Sequence, residues 1–393
     1  MGAAAAIVLA IAFYLPITLL APIGTADAAP VSHPVPTTVA PTFSMPPYGA
    51  SAISAVGFGG LLAQGGSTKP LPIASITKII TTLVVLQQKP LKTGQDGPGI
   101  LFTAEDQAIL KAYAARDGEV YPISVGTTMS ESDVIKVALV ASANNYARAL
   151  ADWAYGSEAK FVAVANQWLK SHGLTHTVLT DATGLNPENT STPTDLIKLG
   201  SLALANPIVA ADVAIRKITL PVVGSIKNTN TILGKDGIVG IKTGTLIEAG
   251  SSLLFASRQE IGTRRVTFIG VILDGPTHPV IDTRIRRLLT VARSAFATQR
   301  LTSKGDTFGT YSTPWGGSSS VVASVSASVV IRKGTPITRT VVMKPVGIAK
   351  KGTVVGTVKY TVNGSVYSVP LKLTRSIVDP GPWWRLTHPG ALS

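Results

Sequence analysis

A lysine sits inside the apolar run SITKIITTLVVLQQ at residues 75–88. The stretch suits a helix, and so little of it is polar that the helix belongs in a core. Any fold for this chain must therefore bury Lys78 or find it a polar setting. An ammonium in an apolar site loses solvation, so its pKa falls and it becomes a base. Residues i and i+3 share one helix face, which stands Ser75 of the first turn beside Lys78. The bland alternative is that Ser75 is an N-cap and Lys78 a solvated lysine. A second Ser-x-x-Lys, Ser157 to Lys160, lies in a polar loop or helix end and lacks the apolar setting.

An activated serine also needs a proton relay, an oxyanion hole and a clamp for substrate charge. Two further stretches offer them. Ser142-Ala143-Asn144 lies in VASANNYA between two helical segments. Lys242-Thr243-Gly244-Thr245 lies in GIVGIKTGT at the end of a strand-like run, where Lys242 and the threonines suit a terminal carboxylate and Gly244 lets substrate backbone approach the strand closely. Lys92-Thr93-Gly94 repeats the tripeptide, but in a polar loop that precedes Ser142, and is set aside.

Around these motifs the chain divides into five parts. Residues 1–29 carry no charged side chain before Asp27. They read as a membrane anchor in preference to a cleaved signal, although Ala26-Asp27-Ala28 has the small-x-small form of a cleavage site. Residues 30–47, with Pro30, Pro34, Pro36, Pro41, Pro46 and Pro47, read as a stiff spacer with no core-forming pattern. Residues 48–300 mix signals. Short strands are expected at 49–63, and helices at 75–88, after the Ser130/Asp133 capping pair, at 146–154, after Thr192-Pro193 with Asp195, and at 282–298. Alternating Val, Ile and Thr at 213–273 predict an antiparallel sheet. Residues 301–380 read as a small all-β module with an Asn363-Gly364 hairpin turn. A short tail, 381–393, follows.

Taken together and in this order, Ser75-x-x-Lys78, Ser142-x-Asn144 and Lys242-Thr243-Gly244 resemble the signature of penicillin-binding proteins and serine β-lactamases. The stretches IASITKIITTLVVL, DATGLNPENTSTPTDLIKLG, NTNTIL and GIVGIKTGTLIEAGSSLLFAS are similar to one branch, the D-alanyl-D-alanine carboxypeptidases of low molecular mass. The resemblance covers about 48–300. It implies an α/β (α+β) fold of the β-lactamase/transpeptidase-like type, with an antiparallel sheet flanked by helices, plus the C-terminal β domain. It implies that Ser75 attacks the carbonyl between two D-alanines of a peptidoglycan stem peptide, that Lys78 takes its proton, and that Ser142 relays a proton to the leaving amine with help from Lys242. Asn144 would bind the substrate amide or orient Lys78. The N–H groups of Ser75 and Thr245 would form the oxyanion hole, and Thr243 and Thr245 would hold the terminal carboxylate. β-Lactams would acylate Ser75. No metal or cofactor is implied, and the site of action is the extracytoplasmic face of the bacterial membrane or wall. Two positions depart from the pattern: Ala143, where Gly or Asp is common, and Asn189, where a His is common.

Composition narrows the alternatives. With 393 residues, 45% of them hydrophobic, the chain can bury a sizeable core, and with no Cys it has no disulfide or thiolate chemistry. The net charge of +14 is concentrated late: residues 301–393 hold eleven Lys or Arg against Asp306 and Asp379. That surface suits an anionic polymer or lipid headgroups, or is simply solvated; no zinc finger or basic helix supports nucleic-acid binding. A β-lactamase is disfavoured because Glu188, the sole acid in NPENTST, lacks the context of a deacylating glutamate. An endopeptidase would use the same residues, and a catalytically silent wall- or penicillin-binding protein is the reading from another class. His172 and His176 in HGLTH read as structural, since Gly173 breaks the helix between them. Trp383-Trp384-Arg385 either touches membrane or wall or caps the β module.

Overall fold

The computed structural model describes residues 2–31, 34–35 and 37–392, so Pro36 of the proline-rich stretch lies outside the described residues. Its contacts define two units, Pro41–Ala295 and a second built from Met1–Ala40 with Phe296–Ser393.

The first unit runs β1 (Ala50–Ala55), β2 (Leu61–Gly66), α1 (Thr77–Gln88), α2 (Glu131–Val140), α3 (Asn144–Tyr155), α4 (Glu158–Ser171), α5 (Pro193–Ala205), β3 (Ile238–Leu246), β4 (Gly250–Ile261), β5 (Arg264–Gly275) and α6 (His278–Ser294), with shorter pieces between. The five strands form one antiparallel sheet in the order β3-β4-β5-β1-β2. Alternation sends Leu254, Ala256, Ile269 and Val271 into the same core as the buried residues of α1 to α5. Helix α6 packs on β4 and β5 with Ile281, Ile285, Leu288 and Leu289 buried outside that core.

Helix α1 is buried from Thr77 to Leu86, Lys78 included, as its apolar sequence requires. Its other polar groups are satisfied locally: Thr81 donates to the Ala182 carbonyl at 2.7 Å and Thr82 to the Lys78 carbonyl at 2.8 Å. Each of Ile79, Ile80, Val84 and Val85 contributes about 1.5–3 kcal/mol by burial. The expected caps form. Ser130 accepts from the Asp133 N–H at 3.2 Å, and Thr192 from the Asp195 N–H at 3.3 Å. Ser157 likewise caps α4 by accepting from the Lys160 N–H, and Lys160 is exposed, so the second Ser-x-x-Lys is a helix start. Helix α6 stops at Ser294, short of the expected 298. Phe296–Thr302 is instead a strand paired with Ala327–Arg332, with Phe296, Gln299 and Leu301 buried in near-alternation.

The second unit is a six-stranded antiparallel sheet, ordered Asp27–Pro30, Thr307–Ser312, Ser318–Ala323, Ser365–Leu373, Val354–Val362, Ile337–Met343, over a core that includes Tyr311, Val321, Val358, Tyr360 and Leu371. Asn363 and Gly364, at φ 48° and 78°, make the expected two-residue turn between Val362 and Ser365. The segment before residue 41 is more than a spacer: Asp27–Pro30 adds an edge strand to this sheet, Ala26 is buried in the core and Val35 packs against it. The N-terminal helix Gly2–Leu20 has mostly exposed apolar side chains, and its Tyr14 hydroxyl donates to the Leu386 carbonyl at 2.6 Å. Among the described residues no helix is long and apolar enough to cross a membrane. In the tail, Trp384 lies edge-on to Trp315 at 5.6 Å, capping the module, while Trp383 is 79% exposed.

The segment Ile73–Ser75, which leads into α1, is gripped from two sides by backbone. A Cβ on Gly184 would lie 1.8 Å from the Ala74 carbonyl oxygen, and one on Gly244 of β3 would lie 2.9 Å from that of Ile73. Gly244 is therefore small because the chain's own serine segment approaches it, a reason the sequence reading missed. Ala74 itself is held at φ 45°, a left-handed conformation that costs an alanine about 1–2 kcal/mol. Gly184→Ala is expected to cost about 2–5 kcal/mol, from backbone strain plus the clash. Gly126→Ala, at φ 84° with open space around it, should cost only the strain, about 1–2 kcal/mol. Urea melts of the two variants check this, and equal losses would show that the grip on Ala74 does not exist.

Candidate active site

Ser75 sits in a turn of 3₁₀ helix, Ala74–Ile76, that runs into α1, and neither helix start has a side-chain cap. The N-cap reading of Ser75 therefore fails. Its hydroxyl lies 2.7 Å from Lys78 Nζ. The same nitrogen lies 2.6 Å from Asn144 Oδ1 and 2.8 Å from the Thr183 carbonyl oxygen. These last two atoms can only accept. In its neutral form the amine would spend its two N–H bonds on Asn144 and Thr183, which leaves its lone pair for the Ser75 hydroxyl proton. Lys78 is 0% exposed. Burial, then the charge of Lys242, hold its pKa well below the usual 10.5, with Asp181 and Glu119 opposing.

Lys242, on β3, is the second buried lysine, 1% exposed, and burial pushes it down to about 7. Its Nζ donates to Ser142 Oγ at 2.8 Å and to the Thr243 carbonyl at 3.2 Å. Ser142 lies between α2 and α3 at φ 63°, a left-handed conformation costing about 1–3 kcal/mol at a non-glycine residue. Asn144 is the first residue of α3, two residues earlier than that helix was expected to begin, and its N–H donates to the Glu119 carbonyl at 2.7 Å. Ala143 is buried and fits its slot without polar demand.

These groups open onto one cleft of about 620 Å³, lined by Ser75, Ser142, Asn144, Thr243 and Thr245 among others. That size suits a small ligand or peptide end. Thr243 Oγ1 is 2.5 Å from Thr229 Oγ1, and Thr245 Oγ1 is 2.8 Å from His278 Nε2. All eight residues singled out in the sequence thus converge: Ser75, Lys78, Ser142 and Asn144 on one side, Lys242, Thr243, Gly244 and Thr245 on the other.

Several contributors carried no motif. The Thr183 carbonyl is delivered by a loop ordered on two buried polar side chains. Asp181 Oδ1 accepts from the N–H groups of Thr183 and Gly184, and Oδ2 from that of Asn186, at 2.6–2.7 Å. Asn189, fully buried, accepts from the Thr180 and Asp181 N–H groups and donates to Thr77 and to Asp181. Asn189 is thus built into the loop and is not among the residues that line the cleft. Thr229, His278 and the loop Arg116–Glu119 also line the cleft. The set-aside Lys92-Thr93-Gly94 is an exposed turn. His172 stacks on Trp168 at 4.1 Å and bonds its carbonyl. Among the described residues no group of three His, Asp or Glu is placed to hold a metal ion.

Known proteins fall in with this geometry. The family model described as D-alanyl-D-alanine carboxypeptidase matches residues 53–277. The D-alanyl-D-alanine carboxypeptidase DacC of Escherichia coli (strain K12) is 30% identical over 345 residues, 84% of this chain and 84% of that protein. A D-alanyl-D-alanine endopeptidase of Pseudomonas aeruginosa is 30% identical over 230 residues, 56% of this chain and 69% of its own. In fold, penicillin binding protein 5 from Haemophilus influenzae superposes with a TM-score of 0.59 at 20% identity, over 86% of this chain and 100% of that one. The family match over more than half the chain, the identity to DacC and the buried Ser-Lys geometry lead to one conclusion: the chain belongs to the D-alanyl-D-alanine carboxypeptidase family of serine peptidases.

Proposed function

We propose that this enzyme trims the terminal D-alanine from peptidoglycan stem peptides ending in D-Ala-D-Ala, with Ser75 as nucleophile and Lys78 as its base. The observation that carries this reading is the Lys78 amine: it is fully buried, and its Nζ lies within hydrogen-bond distance of the Ser75 hydroxyl, the Asn144 side-chain oxygen and the Thr183 carbonyl oxygen. Ser75 Oγ bonds to the penultimate D-Ala carbonyl carbon as its proton passes to Lys78. The N–H groups of Ser75 and Thr245 hold the oxyanion. The carbon–nitrogen bond then breaks, and a proton reaches the leaving amine through Ser142, which Lys242 hydrogen-bonds. Asn144 keeps the Lys78 amine aimed and offers its amide to the substrate. Thr243 and Thr245 hold the departing carboxylate, while Gly244 lets the strand and the serine segment meet. Water then attacks the ester and returns the proton to Ser75. β-Lactams acylate the same serine.

The enzyme acts outside the cytoplasm. The exposed apolar side chains of Gly2–Leu20 support a second element of the proposal, that this helix holds it at the membrane surface. The names of three relatives as D-alanyl-D-alanine endopeptidases favour one further reading, cleavage of crosslinks by the same residues.

Intact-mass analysis of the full chain after penicillin should give one adduct per molecule, and none for Ser75→Ala. Lys78→Ala should acylate about 100- to 10,000-fold more slowly. An adduct on Ser75→Ala would end the assignment. The dependence of kcat/KM on pH should be bell-shaped. As pH falls Lys78 gains a proton and cannot accept another. As pH rises through about 7 Lys242 loses the charge that supports the proton relay through Ser142. Lys242→Arg, which stays charged, should lose the alkaline limb; a limb left unchanged in that variant would assign it to another group.

A further inference from the structure

Five charged or ionisable side chains line the cleft: Arg116, Asp117, Glu119, Glu248 and His278. Arg116 shares its loop with two carboxylates, and that loop lies against the Asn144 side, where a Cβ on Gly118 would be 2.8 Å from Asn144 Nδ2. His278 is at the β3 wall, with Nε2 2.8 Å from Thr245 Oγ1. It is the first residue of the 17-residue α6, whose N-cap Thr277 makes no side-chain cap bond. The positive end of that helix favours an anion beside His278.

We propose that protonated His278 selects a free C-terminal carboxylate and so biases the enzyme toward removing a terminal residue over cleaving within a chain. The assignment rests on the carboxypeptidase reading above. Hydrogen-bond direction supplies the mechanism. An imidazolium can only donate, so it donates Nε2–H to Thr245 Oγ1 and leaves that hydroxyl's proton free for a carboxylate oxygen. A neutral ring accepting at Nε2 takes the Thr245 proton for itself and offers the substrate no charge. An amide or continued peptide at that position gains nothing from the cation.

The surrounding charges tune the effect. Burial depresses the imidazole pKa, Asp282 one turn along α6 opposes, and Lys242 across on β3 depresses it further. Asp282 is itself held by the Thr231 hydroxyl at 2.6 Å. Glu248 of the turn after β3 shares the cleft, and Asp274 is the penultimate residue of the strand that leads into α6. In the free enzyme the ring therefore charges on the acid side of its ordinary range, and a bound carboxylate raises that midpoint.

The test uses the full chain and the ratio of kcat/KM for diacetyl-L-Lys-D-Ala-D-Ala to that for its C-terminal amide, between about pH 5 and about pH 8. Titration of Lys78 as base and of Lys242 in the relay affects both peptides and cancels in the ratio. In the wild type the ratio should rise about tenfold or more toward acid, carried by KM of the free acid. His278→Gln should give a low ratio that lacks this rise, and His278→Arg a high one without it. Stoichiometric penicillin adducts on Ser75 establish that each variant is folded. Should the Gln variant lose its adduct, His278→Arg decides alone, and a ratio still rising toward acid in it overturns the proposal. A Gln variant that follows the wild-type curve overturns it too. A wild type that forms the adduct but cleaves neither peptide overturns the carboxypeptidase reading and this role with it. A wild type that cleaves both equally at every pH overturns only the role of His278.

Discussion

Two lysine amines buried within each other's field are the constraint around which the first unit is organised. Lys242, moved from an ordinary 10.5 to about 7, costs folding on the order of 5 kcal/mol at neutral pH. The sign follows from linkage. Above 10.5 the lysine is neutral in both states and there is no penalty. Between 10.5 and about 7 the unfolded chain binds a proton that the folded one refuses, so stability falls with pH. Below about 7 both states are charged and the penalty is constant. Lys78 adds to it, since its own burial and then the charge of Lys242 depress its pKa. The burial of α1 and its neighbours offsets this cost, and what the fold gains is an amine lone pair aimed at a hydroxyl at neutral pH.

The lone pair is aimed only because its competitors are fixed. If the Thr183 carbonyl moved away, an N–H would be free to turn toward Ser75 and the base would become a donor. That carbonyl has no side chain to anchor it, so the anchoring falls to Asp181, which gathers three backbone N–H groups, and to Asn189, which ties the loop to Thr77 of α1. The glycines at 184 and 244 then let the loop and the strand close on Ile73 and Ala74. Rigidity at the serine is thus assembled from backbone contacts between segments far apart in sequence, with the left-handed Ala74 and Ser142 as its local costs.

This explains what could be read from the letters and what could not. Lys78 in an apolar run is legible because solvation of one side chain conflicts with its neighbours. Ser75 is legible because i and i+3 share a helix face. Lys242-Thr243-Gly244 stood out from Lys92-Thr93-Gly94 by the strand around it, and Ser75 from Ser157 by the polarity around it. The Thr183 acceptor was invisible, because a carbonyl has no residue type. His278 was missed because it is one histidine before a proline, and only β3 and α6 coming together set it beside Thr245. The part that residues 27–35 play in the β module was missed for a related reason. Prolines argue against internal sheet positions, yet an edge strand such as Asp27–Pro30 tolerates one at its end, and its partner lies nearly 280 residues later, at Thr307–Ser312.

The division of labour between the two walls of the cleft follows from the same physics. On the proposed mechanism the base and its supports belong to the wall built on α1 and α3, where Lys78 and Asn144 are buried and hydrogen-bonded to each other. They act on an amide carbonyl and have no means to sense what lies beyond the next residue. The wall built on β3 and α6 is wetter. Thr245 is exposed, His278 is half-buried, and Glu248 stands nearby. Charge there is adjustable because solvent and substrate both reach it. Breaking the amide asks the same of the first wall whether or not the next residue is terminal, and the relatives this chain is similar to carry both names, carboxypeptidase and endopeptidase. The second wall is where a reward for a terminal negative charge would be built, and on the proposal above the Thr245 hydroxyl and its neighbouring imidazole would set that preference.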